Sequence, residues 1–451
     1  MNALGDRFAP EFVWGVATSS YQIEGATTED GRGPSIWDVF AARPGRTHRG
    51  HDGAVAVDHY HRWRQDVALI DQLGLDAYRF SIAWPRIQPE GAGAVEPRGL
   101  AFYDRLVDGL LEVGIEPWPT LFHWDLPQAL EDAGGWPRRE TAERFADYAE
   151  IVVDALGDRV RHWTTLNEPW CAAFLGYGSG VHAPGRTEPA AALAASHHLH
   201  LAHGLALERI RARRPDVEVG VTLNLYAVSP ADDTGRHDDA VRRIDGLMNR
   251  WFFDPILLGR YPQDVLDDVA GVGGTDVIGD EDLTVIGAPV DFLGVNYYTR
   301  HVVAAGPWPG SAEVEFVSRD WPKTASGWDI DPEGLGEVLA RVRRDYPPVP
   351  IYITENGAAF DDVLGVDGRV RDDDRIDFLR RHLTVLADVI EDGVDVRGYF
   401  AWSLLDNFEW AEGYRKRFGI VYVDFETLER TPKDSAHWFG ALARQTAKER
   451  R

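Results

Sequence analysis

Two glutamates stand out by position. Glu168 closes the run Thr164-Thr-Leu-Asn-Glu-Pro169, and Glu355 closes Ile351-Tyr-Ile-Thr-Glu-Asn-Gly357. Each follows four largely apolar or β-branched residues, so each carboxylate leaves what reads as a buried strand. One such Glu is as readily a cap or an ion-pair partner. Two at strand ends on one face suggest paired carboxyl chemistry. Cleaving an acetal needs one carboxylic acid to protonate the leaving oxygen and one carboxylate to meet the positive carbon. Like charges held close push the two pKa values apart, so one carboxyl keeps its proton near neutral pH.

Positioning two such groups takes a scaffold. Eight short apolar, β-branched or aromatic runs recur: 12–18, 77–83, 116–122, 160–166, 218–224, 291–297, 350–355 and 396–402. Helical patterns separate them, at 58–73, 99–112, 140–156, 190–212, 238–257 and 372–391, several ending at Gly74, Gly114, Gly157 or Gly393. This alternation predicts an α/β fold, a single (β/α)8 barrel over 1–451 with 446–451 as a frayed tail. A doubly wound sheet competes, but no G-x-G-x-x-G follows the first strand. The long stretches 21–57, 168–189, 298–331 and 403–424 all follow strands. In a barrel such loops gather on the face where ligands bind.

Composition narrows the ligand. The 451 residues carry 47 basic and 73 acidic side chains, a net charge of −26, which disfavours nucleic acid and anionic membrane surfaces as partners. There is no run of 18 apolar residues and no apolar leader after Met1, and Cys171 is the single cysteine, so a cytoplasmic chain is expected. Sixteen tryptophans suit either a large aromatic core or a ligand with flat apolar faces and polar edges, such as a sugar. The run Ser196-His-His-Leu-His-Leu-Ala-His203 has metal-like spacing but no carboxylate within it, and reads as a helix packing its Leu and Ala face on the barrel. Asp372-Asp-Asp-Arg375 reads as a helix start. Cys171 reads equally as a pocket wall or as a small apolar filler.

At these residues the chain resembles glycoside hydrolase family 1, the β-glucosidase family, nearly end to end. The matching segments are Phe12-Val-Trp-Gly-Val-Ala-Thr18 with Tyr21-Gln-Ile-Glu-Gly25, Tyr78-Arg-Phe-Ser-Ile82 and Leu121-Phe-His-Trp-Asp-Leu-Pro127. They continue with Thr165-Leu-Asn-Glu-Pro169, Gly294-Val-Asn-Tyr-Tyr-Thr299, Ile353-Thr-Glu-Asn-Gly357 and Trp402-Ser-Leu-Leu-Asp-Asn-Phe-Glu-Trp410. The resemblance implies a retaining exo-β-glycosidase with no cofactor and no metal. Glu355 would be the nucleophile and Glu168 the acid/base, about 5–5.5 Å apart. Tyr298 and Arg79 would hold Glu355 ionised, and Asn167 would take the sugar 2-hydroxyl. Gln22, His123 and Glu409 would grip the other hydroxyls, with the indole N–H groups of Trp124 and Trp410. Trp402 would be the floor, and Asn296 would join the substrate-binding set.

On the acceptor side the resemblance places Trp328 as a platform. Trp170, Cys171, Leu175, Asn224, Tyr226 and Phe418 are candidate walls. The implied partners are β-glucosides such as cellobiose, short cello-oligosaccharides or aryl glucosides, with side activity on galactosides or fucosides; a homo-oligomer is left open. Glu409 would repel a 6-phosphate by charge, although Lys416 and Arg417 stand near in sequence. A transglycosidase, a 6-phospho-β-glycosidase and a catalytically dead sugar-binding barrel are the alternatives.

Overall fold

The computed structural model describes residues 4–306 and 314–448. Its centre is a closed ring of eight parallel strands. These are β1 (Val13–Ala17), β2 (Ala77–Ser81), β3 (Glu116–Phe122), β4 (His162–Asn167), β5 (Glu218–Pro230), β6 (Phe292–Ala305), β7 (Ile351–Asn356) and β8 (Val396–Trp402). Each pairs with the next, and β8 closes on β1 in a register running from Val13 opposite Gly398 to Ala17 opposite Trp402. All eight overlap the apolar runs, because strands covered on both faces carry almost no polar alternation, but β5 and β6 continue past the expected ends at 224 and 297, to Pro230 and Ala305, where they go on pairing with each other. A short strand, Val314–Phe316, adds antiparallel to the end of β6.

Aromatic rings fill the base of the barrel. Trp118, Phe292, Tyr352 and Phe400 pack on one another, and Trp118 stacks on His162 with centroids 4.1 Å apart. Gly15 and Gly220 make the room: a Cβ at either would lie 2.4–2.5 Å from Phe400 or Phe292. Large residues on some strands thus require glycine on the strands beside them.

Besides shorter helical segments, the helices include α1 (His59–Leu73), α2 (Pro97–Glu112), α3 (Arg139–Leu156), α4 (Pro189–Arg213), α5 (Asp238–Asp245), α6 (Pro332–Asp345), α7 (Asp373–Glu391) and α8 (Asp434–Lys448). Four departures from the sequence reading have physical causes. The stretch 238–257 is not one regular helix: α5 loosens into a π turn, Gly246–Arg250, before Trp251–Leu258. Helix α4 is not amphipathic in place. Its four histidines are all buried; His197 meets Asp282 at 3.1 Å and shares the Tyr261 hydroxyl with His200. Gly157 ends α3 in a right-handed conformation (φ −69°), whereas Gly74, Gly114 and Gly393 are left-handed. Helices α6 and α8 had no counterpart in the periodicity, although Asp331 caps α6 by accepting from the Gly334 N–H, with Pro332 at its first position. Asp372 precedes α7, as the acidic run suggests, but its carboxylate turns to Arg375 and Ser435. Of the tail, 446–448 are helical and 449–451 lie outside the described residues. No described helix is long and apolar enough to cross a membrane.

The strand ladders lose register near their C-terminal ends, between Thr164 and Asn167, Val295 and Asn296, and Ile353 and Asn356. Such irregularities re-aim side chains. They fall beside Glu168, at Asn296 and beside Glu355.

Candidate active site

A cavity of about 320 Å³ opens above these strand ends, and Glu168 and Glu355 both line it. Both carboxyls are buried. Arg79, on β2 and buried, donates from Nη1 to Glu355 Oε1 and from Nη2 to Asn167 Oδ1, both at 2.7 Å. Tyr298 on β6 donates to Glu355 Oε2 at 2.7 Å. Each Glu355 oxygen therefore has a donor, and one donor is a cation.

Glu168 has different company. Asn296 Nδ2 donates to its Oε1 at 2.6 Å, and the Cys171 thiol donates to its Oε2 at 3.1 Å. Asn296 is itself fixed, because its Oδ1 accepts from Thr354 at 2.8 Å. Its Nδ2 also lies 3.1 Å from Asn167 Oδ1. One chain of hydrogen bonds thus runs from Cys171 through Glu168, Asn296, Asn167 and Arg79 to Glu355 and Tyr298.

The same geometry sets a tautomer. Arg79 can only donate, so Asn167 presents its oxygen to Arg79 and its amide N–H to His123 Nε2, 3.1 Å away. His123 Nε2 must accept, and the ring proton sits on Nδ1, which has no protein partner. Burial, then the charge of Arg79, lowers the His123 pKa well below its ordinary value, so the ring is neutral.

Known proteins resemble this chain over nearly its whole length. The family model for Glycosyl hydrolase family 1 matches residues 4–448. Thermostable beta-glucosidase B of Thermobispora bispora is 52% identical over 98% of this chain and 92% of its own. The bifunctional beta-D-glucosidase/beta-D-fucosidase of Bifidobacterium breve is 49% identical over 96% and 97%. The crystal structure of the psychrophilic beta-glucosidase of Micrococcus antarcticus superposes with a TM-score of 0.95, at 50% identity over 99% of this chain and all of that one. The chain belongs to glycosyl hydrolase family 1.

The remaining family 1 motif residues surround the same cavity. At its inner end His123 stacks on Trp402 with centroids 5.8 Å apart, and Trp124 packs on Trp410 at 4.6 Å. Trp328, 37% exposed, stands against Tyr298 and Phe418 at 5.4 and 5.9 Å. Trp170, Cys171, Leu175, Asn224 and Tyr226, expected as acceptor-side walls, also line the cavity. Gln22, Arg79 and Asn167 form a layer behind the wall. Gln22 accepts from Ser19 at 2.6 Å, donates to Asn407 and to the Phe408 carbonyl at 3.0 Å, and reaches Glu409 at 3.3 Å. Its polar atoms are spent on protein, so here it braces Glu409. Trp124 also departs from its sequence-based role. Its indole N–H donates to the Asn167 carbonyl at 2.9 Å and so faces the strand end, while the ring faces the cavity.

Electrostatics separate the carboxyls. Burial first, then repulsion by Glu355, pushes Glu168 up to about 7, against the opposing bonds from Asn296 and Cys171. Burial raises Glu355 too, but the Arg79 charge and the Tyr298 bond pull it back. The proton shared by the pair belongs on Glu168, whose partners are neutral. Glu409 is pushed up to about 8 by burial and then by Glu355 and Glu168. A raised pKa weakens the charge by which Glu409 would repel a phosphate. A phosphate pocket nevertheless lacks its cations: Lys416 donates to the Ala325 carbonyl, and Arg417 pairs with Asp406 at 2.6 Å.

Three non-glycine residues of this wall hold left-handed backbones: Trp124 (φ 76°), Glu168 (φ 48°) and Trp410 (φ 49°). Side chains held this way need surroundings that enforce them. Sequence reasoning missed His182, which lines the cavity beside Trp124 and Trp37 with centroids 5.5 and 5.3 Å away. Its signal was a histidine within the long loop after β4. It also missed Thr354, one residue before Glu355, whose hydroxyl fixes Asn296. Among the described residues no group of three or more His, Cys, Asp or Glu is placed to hold a metal ion.

Proposed function

We propose that this chain is a retaining exo-β-glycosidase that removes terminal β-D-glucosyl residues by double displacement. Cellobiose, short cello-oligosaccharides and aryl glucosides are its substrate class, with galactosides and fucosides as side substrates. One observation carries the reading. Two buried carboxyls share one cavity, and one is held by a guanidinium while the other is held only by neutral donors. Glu355, kept anionic by Arg79 and aimed by Tyr298, attacks the anomeric carbon. Glu168 gives its proton to the leaving oxygen. A glycosyl ester then joins the sugar to Glu355. Glu168, now a carboxylate, takes a proton from water, which attacks the same carbon and frees the sugar.

The aromatic inner end supplies the sugar platform. Trp402 offers a face to the ring C–H groups, while His123, Glu409 and Trp410 face hydroxyls. Asn167 serves the 2-hydroxyl by exchanging one of its present bonds, and Gln22 acts through Glu409. Asn296 keeps the acid/base in place. On the acceptor side Trp328 and Phe418 form an apolar platform. The names of the relatives, which include a glucosidase/fucosidase, support this substrate class. A reducing, cytoplasmic setting fits a chain whose single cysteine is buried and unpaired in any disulfide.

The test is chemical rescue. Glu355→Ala should abolish hydrolysis of an aryl β-glucoside, and added azide should then give the α-glycosyl azide. A variant that hydrolyses at the wild-type rate ends the reading. A β-azide product would mean that a glycosyl ester still forms without Glu355, so that Glu355 is not the nucleophile.

A further inference from the structure

Cys171 does more than line the cavity, and the inference rests on Glu168 being the acid/base. The left-handed turn at Glu168 and the π-helix Cys171–Gly178 fold the chain back, so that the Cys171 and Ala172 amides both bond the Glu168 carbonyl, at 3.0 and 3.3 Å. That return places the Cys171 thiol 3.1 Å from Glu168 Oε2. It is the donor found on that oxygen among the described residues. The other oxygen is bound at 2.6 Å by Asn296, which Thr354 prevents from turning.

The two oxygens are therefore unequal. Oε1 faces a rigid amide N–H, so a proton there would displace a strong bond. Oε2 faces a weak donor on a freely rotating Cβ–Sγ bond, so a proton there costs little. We propose that Cys171 is a positioning residue that, opposite Asn296, assigns the labile proton of Glu168 to Oε2. In the first step the Oε2–H bond breaks as its proton passes to the leaving oxygen, and the thiol turns its S–H into the vacated lone pair. In the second step water returns a proton to Oε2 and the thiol turns away. No electron changes hands.

The thiol itself stays protonated throughout. Burial, and then the charge of Glu168, holds its pKa well above the ordinary thiol value. The charged or titratable groups facing Glu168 from neighbouring elements are Arg79 on β2, Tyr226 on β5, Tyr298 on β6, Glu355 on β7 and Glu409 after β8. Each surrounds the carboxyl without bonding Oε2, so changing Cys171 changes the one donor to that oxygen among the described residues.

Two measurements decide it. The basic limb of kcat/KM for an aryl glucoside reports the Glu168 proton in the free enzyme. Cys171→Ala removes a donor to the carboxylate and should raise that limb by about half a pH unit; Cys171→Ser supplies a stronger donor and should lower it by about as much. Limbs that superimpose, or that move the same way in both variants, overturn the proposal. The second measurement needs no cysteine variant. With one cysteine in the chain, the S–H infrared band belongs to Cys171 alone. It should move to lower frequency as Glu168 ionises and stay fixed with pH in Glu168→Gln. A wild-type band that ignores pH through this range also overturns the proposal. If the wild-type protein hydrolyses no β-glucoside, the functional reading fails instead, and the infrared titration still decides the thiol contact.

Discussion

The charge on Glu355 should govern the proton on Glu168, and the coupling can be measured. Glu168 stands at about 7 against an ordinary 4.5, with burial the larger cause and Glu355 the second. For two unit charges about 5 Å apart in an effective dielectric near 20, the repulsion is about 3 kcal/mol, or about 2 pH units. Arg79, which touches Glu355 and also acts on Glu168, offsets part of it. Removing the Glu355 charge makes ionisation of Glu168 easier, so its pKa falls. A drop of about 1–2 pH units is expected, with the burial contribution left behind. Two perturbations do this: Glu355→Gln, and wild-type protein trapped as a 2-deoxy-2-fluoroglucosyl ester. The assay is a carbon-13 or infrared titration of the carboxyls, in a Glu409→Gln background because Glu409 also feels Glu355. Kinetically, this drop turns an acid that suits glycosylation into a base that suits hydrolysis of the ester. If Glu168 titrates at the same pH in free and trapped protein, burial alone sets it and the division of labour by mutual charge is wrong.

Three further outcomes follow from the same structure. Glu168→Ala should slow release of poor leaving groups by about 10²–10⁴-fold and leave dinitrophenolate release far less affected, because only poor leaving groups need the proton; equal losses across a leaving-group series would refute its acid role. Glu409, raised from 4.5 to about 8, binds its proton more tightly folded than unfolded, so it weakens the fold as pH rises from about 4.5 to about 8. Glu409→Gln should therefore gain on wild type in melting temperature across that window, by at most a few kcal/mol in stability, and a gap that does not widen with pH would show that Glu409 is ionised throughout. Trp118→Ala, in the aromatic base far from the carboxyls along β3, should cost about 3–5 kcal/mol in denaturant unfolding, and a loss below about 1 kcal/mol would mean that the barrel floor repacks.

The ring of strands was legible because burial on both faces leaves an unbroken apolar mark, and β7 and β8 are as plain in the sequence as β1. Helices were less so. Helix α4 carries four histidines and reads as half-exposed, yet each histidine is buried and finds at least one partner inside the protein, among Tyr261, Asp282, Thr165 and the Trp136 carbonyl. Periodicity reports how often polar residues occur and not where their partners are. The site divides in the same way. Glu168 and Glu355 announce themselves by closing apolar runs. The side on which Trp124 places its N–H, the bracing role of Gln22 and the contact between Cys171 and Glu168 depend on left-handed turns and a π-helix. No residue type encodes these at Trp124, Glu168 or Trp410, since all three are unfavourable there on their own. They follow from the packing of the loops that carry them.

That origin explains how two identical side chains come to do opposite work. Nothing intrinsic distinguishes one glutamate from another, so the difference must be delivered by neighbours. Strand β2 delivers Arg79, whose five donors can reach Glu355 and Asn167 together, and so fixes a negative charge on one side of the cavity. The return after β4 delivers a thiol, the weakest donor available, to the other side. Asn296 joins the halves, because the amide NH2 that donates to Glu168 also donates to the Asn167 oxygen bound by Arg79. A lysine at position 79 would keep the charge and lose the fork, freeing Asn167 and with it the tautomer of His123. The site is therefore built on donor geometry as much as on charge, and the carboxyls are its most conspicuous residues but its least specialised ones.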